Sequence, residues 1–183
     1  MIRSLKRFRK ISINLLQEIF EFYQSEFKAP MIELVRGLVI QGDQGYLMFK
    51  DFKLSPLQIN TLALTMPYIL NIKHINMQNC NIKDEQCALI IRACSKLSKI
   101  KTLNFGQNQI GAKFISQLQM QQVNIEDKIE RISLQFMKDQ SSIQFSRCIE
   151  TLKSYKSLRC LDLSGNQLTR AAAIHLASII SES

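Results

Sequence analysis

The apolar positions of the chain follow an eleven-residue pattern that recurs at a nearly constant spacing. Residues 158–168 read LRCLDLSGNQL, with apolar side chains at places one, four, six and eleven and Asn at place nine. Further copies begin at residues 44, 72, 100 and 129, so the five starts are 28, 28, 29 and 29 residues apart. Such a period is typical of a solenoid whose repeats each form one supersecondary unit. The pattern therefore predicts five repeats, over residues 44–71, 72–99, 100–128, 129–157 and 158–183.

Each repeat is predicted to contain a short strand followed by a helix. Apolar residues at places four and six alternate with mostly polar ones, which indicates a strand with one buried face. Later in each repeat apolar residues recur at helical spacing, and Ser55, Pro56 and Gln58 form a capping-box signature. The strands are expected near residues 46–50, 74–78, 102–106, 131–135 and 160–164. The helices are expected to begin near Ser55, Asp84, Gly111, Ser141 and Thr169.

The recurring LxxLxLxxNxL pattern resembles the leucine-rich repeats of the ribonuclease-inhibitor-like type over residues 44–183. The resemblance implies an α/β fold, a right-handed solenoid with a parallel concave sheet and outer helices. In that family, Asn or Cys at place nine bonds to backbone groups of the turns and joins neighbouring repeats. The residues that match it are Cys80, Asn108 and Asn166. Met137 takes this place in the fourth copy, where we expect a distorted turn, and Phe52 takes it in the first.

Residues 1–43 do not fit the repeat. The segment begins MIRSLKRFRKISINLL and has five basic residues before its first acidic residue, Glu18. Apolar residues then continue through LLQEIFEFYQSEF. Two interpretations stay open: a basic arm that leads into a helical cap over the first repeat, or a basic, amphipathic mitochondrial presequence. The unbroken apolar pattern favours the cap.

Composition and charge limit the class of protein. The apolar fraction of 46% and the charged fraction of 21% are ordinary for a soluble globular domain, and no apolar run is long enough to span a bilayer. The five cysteines form an odd set without a Cys-x-x-Cys pair, which favours a reducing, intracellular compartment over a disulfide framework. The net charge of +9 indicates that a partner has an acidic surface.

The sequence offers little chemistry. His74 and His175 have no Cys or carboxylate at ligand spacing, so no metal site is predicted. The stretch Ser164-Gly165-Asn166 fits the turn of the repeat better than a nucleophile turn, and no Ser–His–Asp set is indicated. We therefore expect no catalytic site, no cofactor and no small-molecule substrate.

Three surfaces are candidates for partner binding. Places three, five and seven should project from the concave face, whose alternative interpretation is a plain solvated sheet. The concave-face candidates are Tyr46, Met48, His74, Asn76, Gln78, Asn104, Arg131, Gln135 and Asp162. Register should also align a basic edge, formed by Lys73, Lys99, Lys101, Lys128, Lys156 and Arg159. The last helix is followed by no polar closing unit, which predicts either a docking surface at Ile174, Ile179 and Ile180 or a natural chain that continues.

These observations favour a non-catalytic scaffold that binds other proteins as a subunit of a larger intracellular assembly. The repeats are similar to those of small subunits of the ciliary axoneme and of mitochondrial complexes, and we favour the axoneme, the cytoskeleton or the cytoplasm over the mitochondrion. Some proteins of this repeat type activate Ran-like GTPases, so a regulator of a small GTPase is one alternative. The other is an RNA-associated subunit that uses the basic edge.

Overall fold

The computed structural model describes residues 44–69, 71–137 and 141–181, in which five parallel strands alternate with five α-helices. The strands are β1 (Tyr46–Met48), β2 (His74–Asn76), β3 (Thr102–Asn104), β4 (Arg131–Ser133) and β5 (Cys160–Asp162). They form one sheet in the order β1-β2-β3-β4-β5, and each residue pairs with the residue at the same place of the next repeat. The predicted parallel sheet is confirmed. The predicted N-terminal cap, residues 1–43, lies outside the described residues.

The helices begin where the sequence places them. They are α1 (Pro56–Thr65), α2 (Asp84–Cys94), α3 (Ala112–Ile125), α4 (Ser142–Leu152) and α5 (Arg170–Ser181), and a short 3₁₀-helix, Met66–Tyr68, extends α1. The predicted capping box is present, because the Gln58 amide donates to the Ser55 hydroxyl (3.3 Å) and the Ser55 amide donates to the Gln58 side chain (2.8 Å). At the start of α5 the Ala172 amide donates to the Thr169 hydroxyl at 3.2 Å.

Every strand begins at its predicted residue but ends two residues early, at place five of its repeat. The turn of the repeat, which the sequence analysis expected, therefore follows the strand sooner than predicted. The residues at place eight all have positive φ angles: Asp51 (65°), Asn79 (54°), Gln107 (61°), Phe136 (46°) and Gly165 (72°). This left-handed conformation bends the chain toward the helix, and Asn, Asp and Gly tolerate it better than other residues.

The core lies between the sheet and the helices. Place four supplies Leu47, Ile75 and Leu103, each at most 1% exposed, and the helices add residues such as Ile91 and Phe114. Leu161 at place four of the fifth repeat is only half-buried, because none of the described repeats stacks on the outer side of β5.

The side chains at place nine join neighbouring repeats. The Asn108 Oδ1 accepts the amides of Cys80 and Ile82, both at 3.1 Å, and its Nδ2 donates to the Met77 carbonyl at 2.7 Å. Asn108 is 1% exposed, so these bonds satisfy backbone groups that water does not reach.

The other two place-nine residues act in the same way. The Asn166 Nδ2 donates to the Leu134 carbonyl at 2.6 Å, and its Oδ1 accepts the Met137 amide at 2.8 Å. The Cys80 thiol donates to the Phe49 carbonyl at 2.9 Å. These bonds cross to the preceding repeat, so place nine joins the first repeat to the second, the second to the third, and the fourth to the fifth.

Within the described part of the chain, no helix combines the length and the apolar character that crossing a membrane requires.

Candidate protein-interaction surfaces

The exposed face of the sheet, opposite the helices, has an aromatic cluster at its first two repeats. Tyr46 and His74, paired across β1 and β2, stack with ring centroids 5.0 Å apart and an interplanar angle of 19°. Tyr46 is 48% exposed and the neighbouring Met48 is 50% exposed. The cluster combines a flat ring surface with a flexible thioether, which are residue types that protein interfaces favour.

The His74 imidazole is fixed in this cluster by a second contact. Its Nδ1 lies 3.0 Å from the Thr102 hydroxyl of the next strand. Burial lowers the pKa of His74 below its ordinary value, and the positive charges of Lys73 and Lys101 lower it further. The imidazole is therefore neutral at pH 7, where it adds no charge to the aromatic cluster.

The place-five side chains of the second, third and fifth repeats bond to their own turns. Asn76, Asn104 and Asp162 each accept, at 3.0 Å, the backbone amide two residues later. These oxygens are thus partly used within the chain, and they offer a partner fewer hydrogen-bonding groups than the sequence alone implies.

Gln135 and Asp162 extend the polar half of this face across β4 and β5. The Gln135 Nε2 donates to the Asp162 carboxylate, which also accepts the Ser164 hydroxyl at 2.7 Å. Hydrogen bonds from Ser164 and Gln135 lower the pKa of Asp162. Gln78 is half-buried and Arg131 is exposed. Of the nine residues predicted for this face, the aromatic and apolar ones, Tyr46, Met48 and His74, belong to the first two repeats.

The predicted basic edge is partly neutralised. Lys101 pairs with Glu130 at 2.5 Å, and Lys156 pairs with Glu126 at 3.0 Å. The Lys99 Nζ donates to the Asn71 side chain at 2.8 Å, and the Lys128 Nζ donates to a backbone carbonyl at 3.3 Å.

The remaining two residues of this edge, Lys73 and Arg159, form no ion pair within the described ranges. The edge therefore has mixed charge, which fits a nucleic-acid backbone less well than an unbroken row of cations would.

The last repeat has apolar side chains on its outer side. Ile174 is 61% exposed and Ile180 is 76% exposed. Ile179 instead is half-buried and packs against the small cluster of Phe145, Ile149 and Ala172 on the inner side of α5. This packing distinguishes it from Ile174 and Ile180, so Ile179 does not belong to the exposed apolar surface.

Phe136 is an exposed aromatic residue that the sequence analysis missed. Its side chain is 53% exposed, and its ring lies directly over Gly165 at the same place of the next repeat. The sequence contains a signal for this residue, because place eight is polar or glycine in the other four repeats and aromatic only in the fourth.

The described residues contain no group of three or more His, Cys, Asp or Glu side chains that could hold a metal ion.

Comparison with known proteins agrees with this geometry. The family model described as Leucine Rich repeat matches residues 156–177. Among solved structures, a Caenorhabditis elegans tropomodulin C-terminal domain is similar with a TM-score of 0.65 and 12% identity, covering 80% of this chain and 91% of that one. Leiomodin-1 Actin-Binding Site 2 is similar with a TM-score of 0.70 and 11% identity, covering 85% and 90%. The comparison with curated proteins finds none that matches the sequence.

The fold is thus that of a parallel strand–helix repeat array with an exposed sheet face. This fold is of the leucine-rich-repeat type, and residues 156–177 match the model of that family.

Proposed function

We propose that this chain is a non-catalytic scaffold that binds another protein through the aromatic cluster of Tyr46, Met48 and His74. The stacked pair of Tyr46 and His74, half exposed on a rigid sheet, is the observation that supports this most directly. Aromatic side chains on a preformed surface lose little conformational entropy when a partner binds, and they contribute most of the binding energy at many interfaces.

The partner is proposed to be an intracellular protein with an acidic surface. The net charge of +9 favours association with an acidic protein, and all five cysteines are free, as is usual in a reducing compartment. Leiomodin-1 Actin-Binding Site 2 has the same fold, which makes actin the first partner to test and a cytoskeletal location more favourable than a mitochondrial one. No observation on the described residues favours regulation of a small GTPase or binding of RNA.

The test is co-sedimentation of the full chain with filamentous actin. The Tyr46→Ala, His74→Ala double variant should bind about tenfold more weakly or worse, because the interface loses its aromatic anchors. Val123→Ala is the matched control, since Val123 is 85% exposed on α3, away from the sheet face.

The possible outcomes separate the parts of the proposal. Equal binding by the double variant and the control would contradict the aromatic cluster as the binding site. Failure of the unmodified chain to sediment would exclude actin as the partner. An affinity for RNA that falls steeply with salt, without any protein partner, would favour the basic edge instead.

A further inference from the structure

The backbone groups that join neighbouring repeats follow one rule at all four junctions. The amides at places six and eight of one repeat donate to the carbonyls at places five and seven of the next repeat, respectively. In the other direction, the amides at places two and three of the next repeat both donate to the carbonyl at place two of the first. At the last junction, for example, Leu134 donates to the Asp162 carbonyl at 2.8 Å, and Cys160 donates to the Glu130 carbonyl at 3.1 Å.

The fifth repeat presents the same groups on its outer side. They are the amides of Leu163 and Gly165 and the carbonyl of Arg159, and none of the described residues bonds to them. Their spacing matches that of the four inner junctions, where the added strand always runs parallel. The outer side of β5 can therefore accept an extended segment in the same parallel arrangement as the inner junctions.

Apolar side chains next to β5 are exposed at positions that are buried in the inner repeats. Leu168, at place eleven, is 51% exposed. Its equivalents in the first three repeats are at most 5% exposed: Leu54, Ile82 and Ile110. Ile180 is 76% exposed, whereas its equivalents in the first two repeats, Met66 and Cys94, are at most 1% exposed. A segment that pairs with β5 and continues over α5 would remove this apolar surface from water.

The charges at place two of the repeats set a second condition on the segment that would pair with β5. Lys101, at place two of the third repeat, pairs with Glu130 at place two of the fourth. Arg159 holds place two in the fifth repeat and forms no ion pair among the described residues. An acidic residue at place two of an incoming segment would pair with it in the same way. A second copy of this chain fits less well, because each copy has a net charge of +9.

We propose that the outer side of the fifth repeat binds a segment of an acidic partner protein as a sixth parallel strand. The segment has an acidic residue, followed two and four positions later by apolar residues. The chain contains an example of such a segment in residues 129–136, IERISLQF, in which Glu130 precedes Ile132 and Leu134 and the strand pairs with β3. This surface is distinct from the aromatic cluster and does not depend on its function.

The test uses the full chain and two synthetic peptides, one with the sequence IERISLQF and one in which its glutamate is replaced by lysine. Each peptide is titrated to about 1 mM and followed by the backbone amide signals of the protein in NMR spectra. The glutamate peptide should shift and protect the amides of Leu163 and Gly165 and leave that of Tyr46 unchanged. The lysine peptide should bind roughly two- to fivefold more weakly, as expected for loss of an exposed ion pair.

The Arg159→Glu variant makes the test specific to this surface. The variant should reverse the preference, so that the lysine peptide binds better than the glutamate peptide, and its circular dichroism should match that of the unmodified chain. Absence of binding at the highest peptide concentration would overturn the proposal, as would binding that leaves Leu163 and Gly165 unaffected. A dimer in sedimentation experiments, with both amides already protected without peptide, would assign the surface to a second copy and also overturn it.

Discussion

Asp84 at the start of α2 accepts the backbone amide of Gly111, 27 residues later, at 2.7 Å. The same carboxylate accepts the amides of Lys113 and Phe114, both at 2.9 Å, so it caps the first turn of α3. Gly111 is the N-cap residue of α3 and has no side chain that could do this itself. A carboxylate at this position also interacts favourably with the positive end of the helix dipole. One residue of the second repeat therefore fixes the start of the third helix.

Replacing Asp84 with Ala should lower the free energy of unfolding by about 1–2 kcal/mol, because three amides lose their acceptor and the helix loses its cap. Urea denaturation followed by circular dichroism measures the change. Asp127→Ala is the control, since the Asp127 carboxylate makes only a long ion pair of 3.8 Å to Lys156 and should matter little. Equal stability of the two variants would show that the Asp84 cap contributes nothing in solution.

Gly111→Ala should destabilise the protein for a different reason. An added Cβ would lie 2.8 Å from the Asp84 Oδ2, which is too close for a normal contact. The φ angle of Gly111 is −142°, an extended conformation open to any residue, so the cost comes from the contact and amounts to roughly 1–3 kcal/mol. In an Asp84→Ala background the same substitution should cost much less. A double-mutant cycle measures this coupling, and strict additivity would rule out the steric explanation.

The repeat made most of the fold predictable from the sequence. Its period placed the first residue of all five strands, and local caps such as Ser55 and Thr169 placed the helix starts. The interaction between Asp84 and Gly111 could not be predicted in this way. It joins different repeats and has no equivalent elsewhere in the pattern, because Ala112 and Arg170 take the place of Asp84 in the third and fifth repeats.

The candidate surfaces were less predictable than the fold. Place numbers alone assigned residues to the sheet face, but they could not show that Tyr46 stacks on His74 or that Asp162 bonds to its own turn. The stack depends on the side-chain torsion angles of the two residues, and the Asp162 bond depends on the path of the turn that follows β5. The sequence analysis assigned Ile179 to the outer surface because the apolar run near the end of α5 does not show which of its residues face the core.

The loss in the free energy of unfolding when a core leucine is replaced should depend on the repeat that contains it. Leu103 is 1% exposed in the third repeat, and Leu103→Ala should cost roughly 2–5 kcal/mol, as for other fully buried leucines. Leu161 holds the same place in the fifth repeat but is only half-buried, so Leu161→Ala should cost clearly less. Thermal and urea unfolding compare the two variants directly. Equal losses would mean that β5 is covered in the isolated protein.

The protein should lose stability in alkaline solution because of its buried thiols. Burial raises the pKa of Cys80 to about 11 and that of Cys148 to about 12, from an ordinary value of 9.0. Above pH 9 the unfolded chain releases these protons while the folded chain keeps them, so deprotonation favours unfolding. Stability should be constant with respect to these groups below that pH and decrease between pH 9 and about 12. Urea titrations across this range measure the slope, and Cys148→Ala should reduce it.

The thiols should also differ sharply in their reaction with iodoacetamide at neutral pH. Cys80, Cys87, Cys94 and Cys148 are buried, whereas Cys160 is exposed at the start of β5. Burial raises the pKa of the Cys87 and Cys94 thiols well above its ordinary value, so these groups lack both access and the reactive thiolate form. Mass spectrometry of the native protein should therefore show one adduct, on Cys160, and denaturation before the reaction should give five. Cys160→Ser should remove the native adduct and leave four after denaturation. An adduct on Cys94 without denaturant would mean that the second repeat opens in solution, contrary to the packing of α2 against the core.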